Sequence, residues 1–231
     1  MKCRRAFLLA LLLGLTAACM LAAQDGGREL TVEELYLEKI EMQILREQAF
    51  ADDRELKMLV LDDLETMIDQ GNSGRDVELI LEYLALEGIV RTVRESNRLI
   101  NYFPDVRRRA VNLLGRVGGE EAGTALITSL IKDVEPMVKA EAAYALGVIG
   151  SNDNNEVVQA LVYSLYQEDP DKPDNNFAYA VCLSLEKIAR ENNGIKDPGA
   201  YQALVRIAQG SYIRTVQNKA LATLEELRQY Q

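Results

Sequence analysis

The chain repeats itself, and that constrains its fold more than any other feature. Val106-Arg107-x-x-Ala110-x-x-x-Leu114-Gly115-x-Val117-Gly118 returns thirty-two residues later as Val138-Lys139-x-x-Ala142-x-x-x-Leu146-Gly147-x-Ile149-Gly150. A third copy opens 39 residues further on at Phe177, with Val181, Leu185 and Ile188, and a fourth opens 39 beyond that at Val216, with Ala220, Leu224 and Leu227. A weaker copy lies upstream at Leu56, Val60, Leu64 and Met67. The spacing 0, 4, 8, 11 follows one face of an α-helix. Alanine at the second position lets a neighbouring helix approach, and the glycines after the leucine are expected to end the helix.

Each copy is preceded by a second apolar stretch: Ala125-Leu126 with Leu130, Ala160-Leu161 with Leu165, Ala203-Leu204 with Ala208. The unit is therefore helix–turn–helix. Helix-start residues sit in the connectors: Pro136 at a first-turn position, Asp197-Pro198 as N-cap and N1, and Asn and Asp within Ser151 to Asn155.

The stretch from about Asp105 to Gly150 resembles the HEAT-like repeats of the phycobilisome-lyase type, in which valine-arginine, alanine-alanine and alanine-leucine-glycine-x-isoleucine-glycine recur. Val106-Arg107 with Leu114-Gly115-x-Val117-Gly118, and Ala142-Ala143-x-Ala145-Leu146-Gly147-x-Ile149-Gly150, carry the likeness. In the third and fourth copies Glu186 and Glu225 replace the first glycine. The resemblance spans most of 53–231 and implies a right-handed helical solenoid without specifying an activity. The expected fold is all-α: an α-α superhelix, a HEAT-like solenoid of about four to five helix pairs with an N-terminal capping helix. Residues 24–52 form the capping region and 53–231 the repeat domain. Thr31-Val-Glu-Glu34 is a capping-box pattern for a helix running to about Phe50, and its apolar residues (Leu35, Leu37, Ile40, Met42, Ile44, Leu45) suggest one buried face. That helix either covers the end of the array or docks a partner.

The first 23 residues read as a bacterial export signal: basic Met1 to Arg5, apolar Ala6 to Leu15, then Thr16, Ala17 and Ala18. The apolar run is too short to favour a permanent span. Cleavage after Ala23 would release a periplasmic protein. Cleavage before Cys19 would give a membrane-anchored lipoprotein lipidated at that cysteine, although Leu15-Thr16-Ala17-Ala18-Cys19 departs from a lipobox at Thr16. Removing this segment takes the net charge from −10 to −13, which disfavours nucleic acid and anionic headgroups as partners of the body. Arg107-Arg108-Arg109 does not reverse that balance, and Arg107 is expected to pair with an acidic residue of an adjacent repeat.

If positions 0, 4, 8 and 11 face the core, positions 2, 6 and 10 face away. These read Arg108, Asn112, Arg116; Ala140, Tyr144, Val148; Tyr179, Leu183, Lys187; and Asn218, Ala222, Glu226. The middle rows are apolar and aromatic. Tyr144, Tyr179 and Leu183, with Arg108 and Arg116, are the candidate partner-binding residues, because interface centres favour tyrosine and arginine. The other possibility is that this stripe packs within the solenoid.

The chain contains no histidine and no tryptophan, so the commonest general base and transition-metal ligand is missing. The acidic insert Gln167 to Asp174 lacks EF-hand spacing and reads as a solvated loop with Asp174 as an N-cap. Cys182, in an apolar helical stretch, reads as a buried structural thiol. No catalytic constellation, cofactor or metal site is expected. The function expected is a non-catalytic protein–protein interaction scaffold or adaptor of the bacterial cell envelope. The alternatives are an accessory or regulatory subunit of an envelope enzyme complex, or a bilin-lyase-like enzyme.

Overall fold

A computed structural model describes residues 31–230, and the N-terminal segment read as an export signal, with Cys19 and Ala23, lies outside them. Among the described residues ten helices follow one another: α1 (Val32–Phe50), α2 (Arg54–Asp69), α3 (Arg75–Leu86), α4 (Pro104–Val117), α5 (Glu120–Lys132), α6 (Pro136–Ile149), α7 (Glu156–Tyr166), α8 (Asn175–Glu191), α9 (Pro198–Gln209) and α10 (Arg214–Arg228). The chain divides into two compact units, 1–41 and 42–231, so the boundary falls inside α1.

In the larger unit, α4, α6, α8 and α10 carry the four clear repeat copies and α2 the degenerate one. These five stack side by side as one layer, while α3, α5, α7 and α9 stack as the second layer. The last turns of α1 lie against α3, with the Phe50 and Tyr83 rings 4.3 Å apart and Arg46 paired to Asp76 at 2.7 Å. The fold is an all-α, HEAT-like solenoid.

The four-position stripe behaves as its spacing requires. Val106, Ala110 and Leu114, Val138, Ala142 and Leu146, and Phe177, Val181, Leu185 and Ile188 are all buried in one continuous core. In the degenerate copy Val60 and Leu64 are buried, whereas Leu56 is exposed. On α1, Met42, Leu45 and Ala49 are buried but Leu37, Ile40 and Ile44 are exposed. The expected single buried face is thus two stripes on opposite sides of the helix, of which only 42, 45 and 49 enter the core.

The glycines divide the labour differently from expectation. Gly118 and Gly150, at φ 75° and 73°, occupy the C-caps of α4 and α6, but Gly115 and Gly147 lie inside those helices. There they let the next repeat approach. A Cβ on Gly115 would sit 2.6 Å from the Cβ of Ala145, and one on Gly147 would sit 2.6 Å from the Cα of Ser184. Ser184 Oγ also donates to the Ala143 carbonyl at 2.7 Å, tying α8 to α6.

Helix starts follow the residues chosen for them. Pro136 and Pro198 begin α6 and α9, Asp197 accepts from Gly199 N, and Asp174 accepts from Phe177 N, each at 2.7 Å. The α5 start has no side-chain cap of its own. Glu78 of α3 supplies one, accepting from Ala122 N at 3.1 Å. The α3–α4 connector carries an unforeseen hairpin, β1 (Arg94–Glu95) with β2 (Arg98–Leu99), turned by Ser96 and Asn97 at positive φ. Buried Asn101 clamps its base, donating to Arg91 O and accepting from Val93 N.

A series of ion pairs links each repeat to the next. The residue after the first stripe position is basic in three copies, and each time it meets an acid just beyond the first helix of the following pair: Lys57 with Glu87 at 2.9 Å, Arg107 with Asp133, and Lys139 with Glu168. Arg107 and Asp133 are about 1% exposed or less and bond through two N–H groups, at 2.7 and 3.1 Å. The Arg107 guanidinium also stacks on the Tyr102 ring at 4.5 Å. Burial pushes the Glu87 carboxyl above its ordinary value, while Lys57 opposes that rise.

Two stability tests follow from this packing. Gly147→Ala should lower the unfolding free energy by about 1–3 kcal/mol, because overpacking outweighs alanine's helix advantage of roughly 1 kcal/mol. Gly123→Ala, with nothing within 4 Å of the added methyl, should raise it by about 0.5–1 kcal/mol. Urea titration read by circular dichroism distinguishes the two. By the same measurement Asp133→Ala should cost about 3–5 kcal/mol by stranding a buried guanidinium, and the double change Arg107→Met with Asp133→Leu should recover most of that loss.

Candidate functional site

Positions 2, 6 and 10 of α4, α6, α8 and α10 point away from the core, as the helical pitch demands, and only Ala140 among them is buried. Tyr144 and Tyr179 are 38% and 36% exposed, and Leu183 is half-buried. The three line one open groove of about 430 Å³ that crosses α6, α8 and the start of α10, together with Met137, Ala140 and Ile213. Its surface is mostly carbon.

The sequence stripe identified the α6 and α8 rows of this groove but not its third wall. Ile213, Thr215 and Val216 complete it from the α9–α10 turn and the first turn of α10. Ile213 lies outside the four-position pattern, so the repeat alone could not point to it. The Ile213 backbone N–H donates to Asn175 Oδ1 at 2.9 Å, which fixes this turn against α8.

The two arginines have other surroundings. Arg116 pairs with Glu65 at 3.0 Å and with Asp69, both on α2, and does not line the groove. Arg109, beside it in space, bonds Asp62 and Glu65 at 2.5 and 2.7 Å. Arg108 is exposed on α4 and makes no ion pair among the described residues. It lies one turn before Asn112, whose amide donates to Glu141 Oε1 at 2.8 Å on the groove's edge. The run Arg107-Arg108-Arg109 is therefore split three ways, into a buried pair, a free surface charge and an inter-helix bridge.

In α8 the repeat loses its first glycine. In α4 and α6 the place after the stripe leucine is Gly115 or Gly147, and the next helix lies close against it. In α8 that place is Glu186, which faces α10 and binds Lys219 there, and it also bonds Arg190 at 2.6 Å. Arg190 extends the link to Glu226 at 2.7 Å. Burial alone would raise the Glu186 carboxyl, but Lys219 and Arg190 hold it below its ordinary value.

The remaining chemistry-bearing residues are in structural use. Cys182 is buried and its thiol is pushed up to about 12, chiefly by burial, so it stays protonated at neutral pH. Glu168 binds Lys139, Asp169 accepts from Asp171 N at 2.9 Å, and Asp174 caps α8. Three of the insert's four carboxylates are thus engaged, Glu168 in an ion pair, Asp169 in a turn and Asp174 in a cap. Among the described residues no three acidic or cysteine side chains gather as metal ligands, and no helix is long and apolar enough to cross a membrane. Lys57 is the charged residue that sequence reasoning passed over. Its alignment with Arg107 and Lys139 was the signal available for it.

Comparison with known proteins agrees with the architecture. Residues 97–173 match the family model for HEAT repeats. No curated protein matches the chain.

Because the Glu186 carboxyl is held low in the folded state, its contribution to stability is complete above the ordinary carboxylate range and disappears as pH falls through its lowered pKa. Glu186→Gln should accordingly flatten the acid side of a stability–pH profile. Thermal unfolding measured from neutral pH down to about pH 3 checks this. An unchanged slope would mean that the α8–α10 bridge adds nothing.

Proposed function

We propose that the chain, a HEAT-like repeat protein, is a non-catalytic scaffold or adaptor of the bacterial cell envelope that holds a protein partner on the outer face of the layer built by α4, α6, α8 and α10. Repeat solenoids present extended surfaces of this kind, built from rigid helices with side chains free to vary. The observation that carries the reading is the groove across α6, α8 and α10. Two tyrosines and a leucine stand there on the outward stripe, where a solenoid with nothing to bind would be expected to place charge. Aromatic side chains on rigid helices give large contact area at low entropic cost, which suits the centre of an interface.

The envelope location rests on the N-terminal pattern, with its basic start, apolar run and small residues before Gln24. Periplasmic release at Ala23 and lipidation at Cys19 both place the repeats outside the cytoplasm.

Crosslinking in the native cells followed by purification tests the reading. A stable protein partner should copurify with the wild type, and Leu183→Asp with Tyr179→Ala should reduce its recovery at least about tenfold, the scale of losing interface-centre contacts. The same preparation should begin at Gln24 or carry lipid on Cys19. Equal recovery from the variant would move the interface elsewhere, and an intact Met1 would remove the envelope from the proposal.

A further inference from the structure

Away from the α4 side, the groove is bordered by cations that have no ion pair among the described residues, although the protein as a whole is strongly acidic. Glu141, the charged residue in its lining, keeps its negative charge on the α4 side, with one oxygen accepting from the Asn112 amide at 2.8 Å. On the same helices Glu186 is bound by Lys219 and Arg190, and Glu226 by Arg190. The cations nearby are differently placed. Lys187 lies over the Tyr144 ring, 4.7 Å from its centre, and no described carboxylate pairs with it. Arg214 stands between two lining residues, Ile213 and Thr215, and is exposed with no ion pair among the described residues.

An apolar trough beside uncommitted cations selects its ligand twice. The trough requires aliphatic or aromatic side chains, and the cations reward carboxylates beside them and penalise lysine or arginine there. From this charge complementarity we infer that the occupant is an acidic amphipathic segment of a protein, with apolar anchors on one face and aspartate or glutamate flanking them. This deepens the scaffold reading and rests on it. The cations also explain how a chain of formal charge −10 could receive an acidic partner, since long-range repulsion is screened over about 8 Å at physiological salt while the local pairs remain.

The probes are two synthetic helical peptides with the same leucines and phenylalanine at helical spacing, one with glutamate and one with lysine at every other position. Fluorescence anisotropy on the full chain at physiological salt, where the repulsion of the whole chain is screened, should show the glutamate peptide binding at least about tenfold more tightly than the lysine peptide. Added salt should narrow the gap. Lys187→Glu with Arg214→Glu should abolish or reverse it, and both sites are surface positions whose change can be checked against an unaltered melting curve. Equal binding of the two peptides, or tighter binding of the lysine peptide, overturns the inference and leaves the groove as a docking site. If neither peptide binds, the groove is not a docking site for helical segments, and the inference falls with it.

Discussion

How closely one repeat can approach the next depends on a single side-chain position. Where the residue after the stripe leucine is glycine, at 115 and 147, the neighbouring helix sits so close that a methyl group would collide with Ala145 or Ser184. Where it is glutamate, at 65 and 186, the carboxylate faces the neighbour and is met by cations: Arg109 and Arg116 in one case, Lys219 in the other. The array is therefore built with two kinds of junction. Close backbone packing joins α4, α6 and α8, while salt-bridged side chains join α2 to α4 and α8 to α10. The groove lies across the last of these junctions.

The buried pairs solve a different problem. Stacked helix pairs share a largely apolar core, and apolar surfaces alone allow sliding. An ion pair taken out of water is poor at adding net stability but demanding about geometry, because a misplaced partner leaves a charge stranded. Lys57–Glu87 and Arg107–Asp133 are such buried pairs, the half-buried Lys139–Glu168 recurs at the equivalent place, and together they fix the register of each repeat on the next. The series stops at α8, where the equivalent residue is Ala178. Beyond it the link between α8 and α10 passes to the more exposed Glu186, Lys219, Arg190 and Glu226.

Much of this could be read in the sequence because helical spacing is a one-dimensional signal. The stripe, the helix pairs, the N-caps at Asp174 and Asp197, the outward direction of Tyr144 and Tyr179, and an acidic partner for Arg107 all follow from residues a few positions apart. What was not legible depends on distances across the array. Gly115 and Gly147 look like helix stops until Ala145 and Ser184 are seen against them. Asp133 is an ordinary residue after a helix until Arg107 is seen to reach it from the preceding pair. Arg116 sits on the outward stripe, yet its charge belongs to α2, which no spacing within α4 could reveal. Ile213 enters the groove from a turn and therefore carries no periodicity.

The unequal junctions give the array unequal compliance. Backbone packed on backbone resists bending steeply, because displacement meets repulsion within tenths of an ångström. Ion pairs between long side chains tolerate larger excursions and soften as counterions accumulate. The stretch α4–α6–α8 thus acts as a stiff beam, and deformation concentrates at its two ends. A ligand seated across α6, α8 and α10, as proposed for the groove, would bridge one of those ends to the beam and make it a continuation of the rigid part.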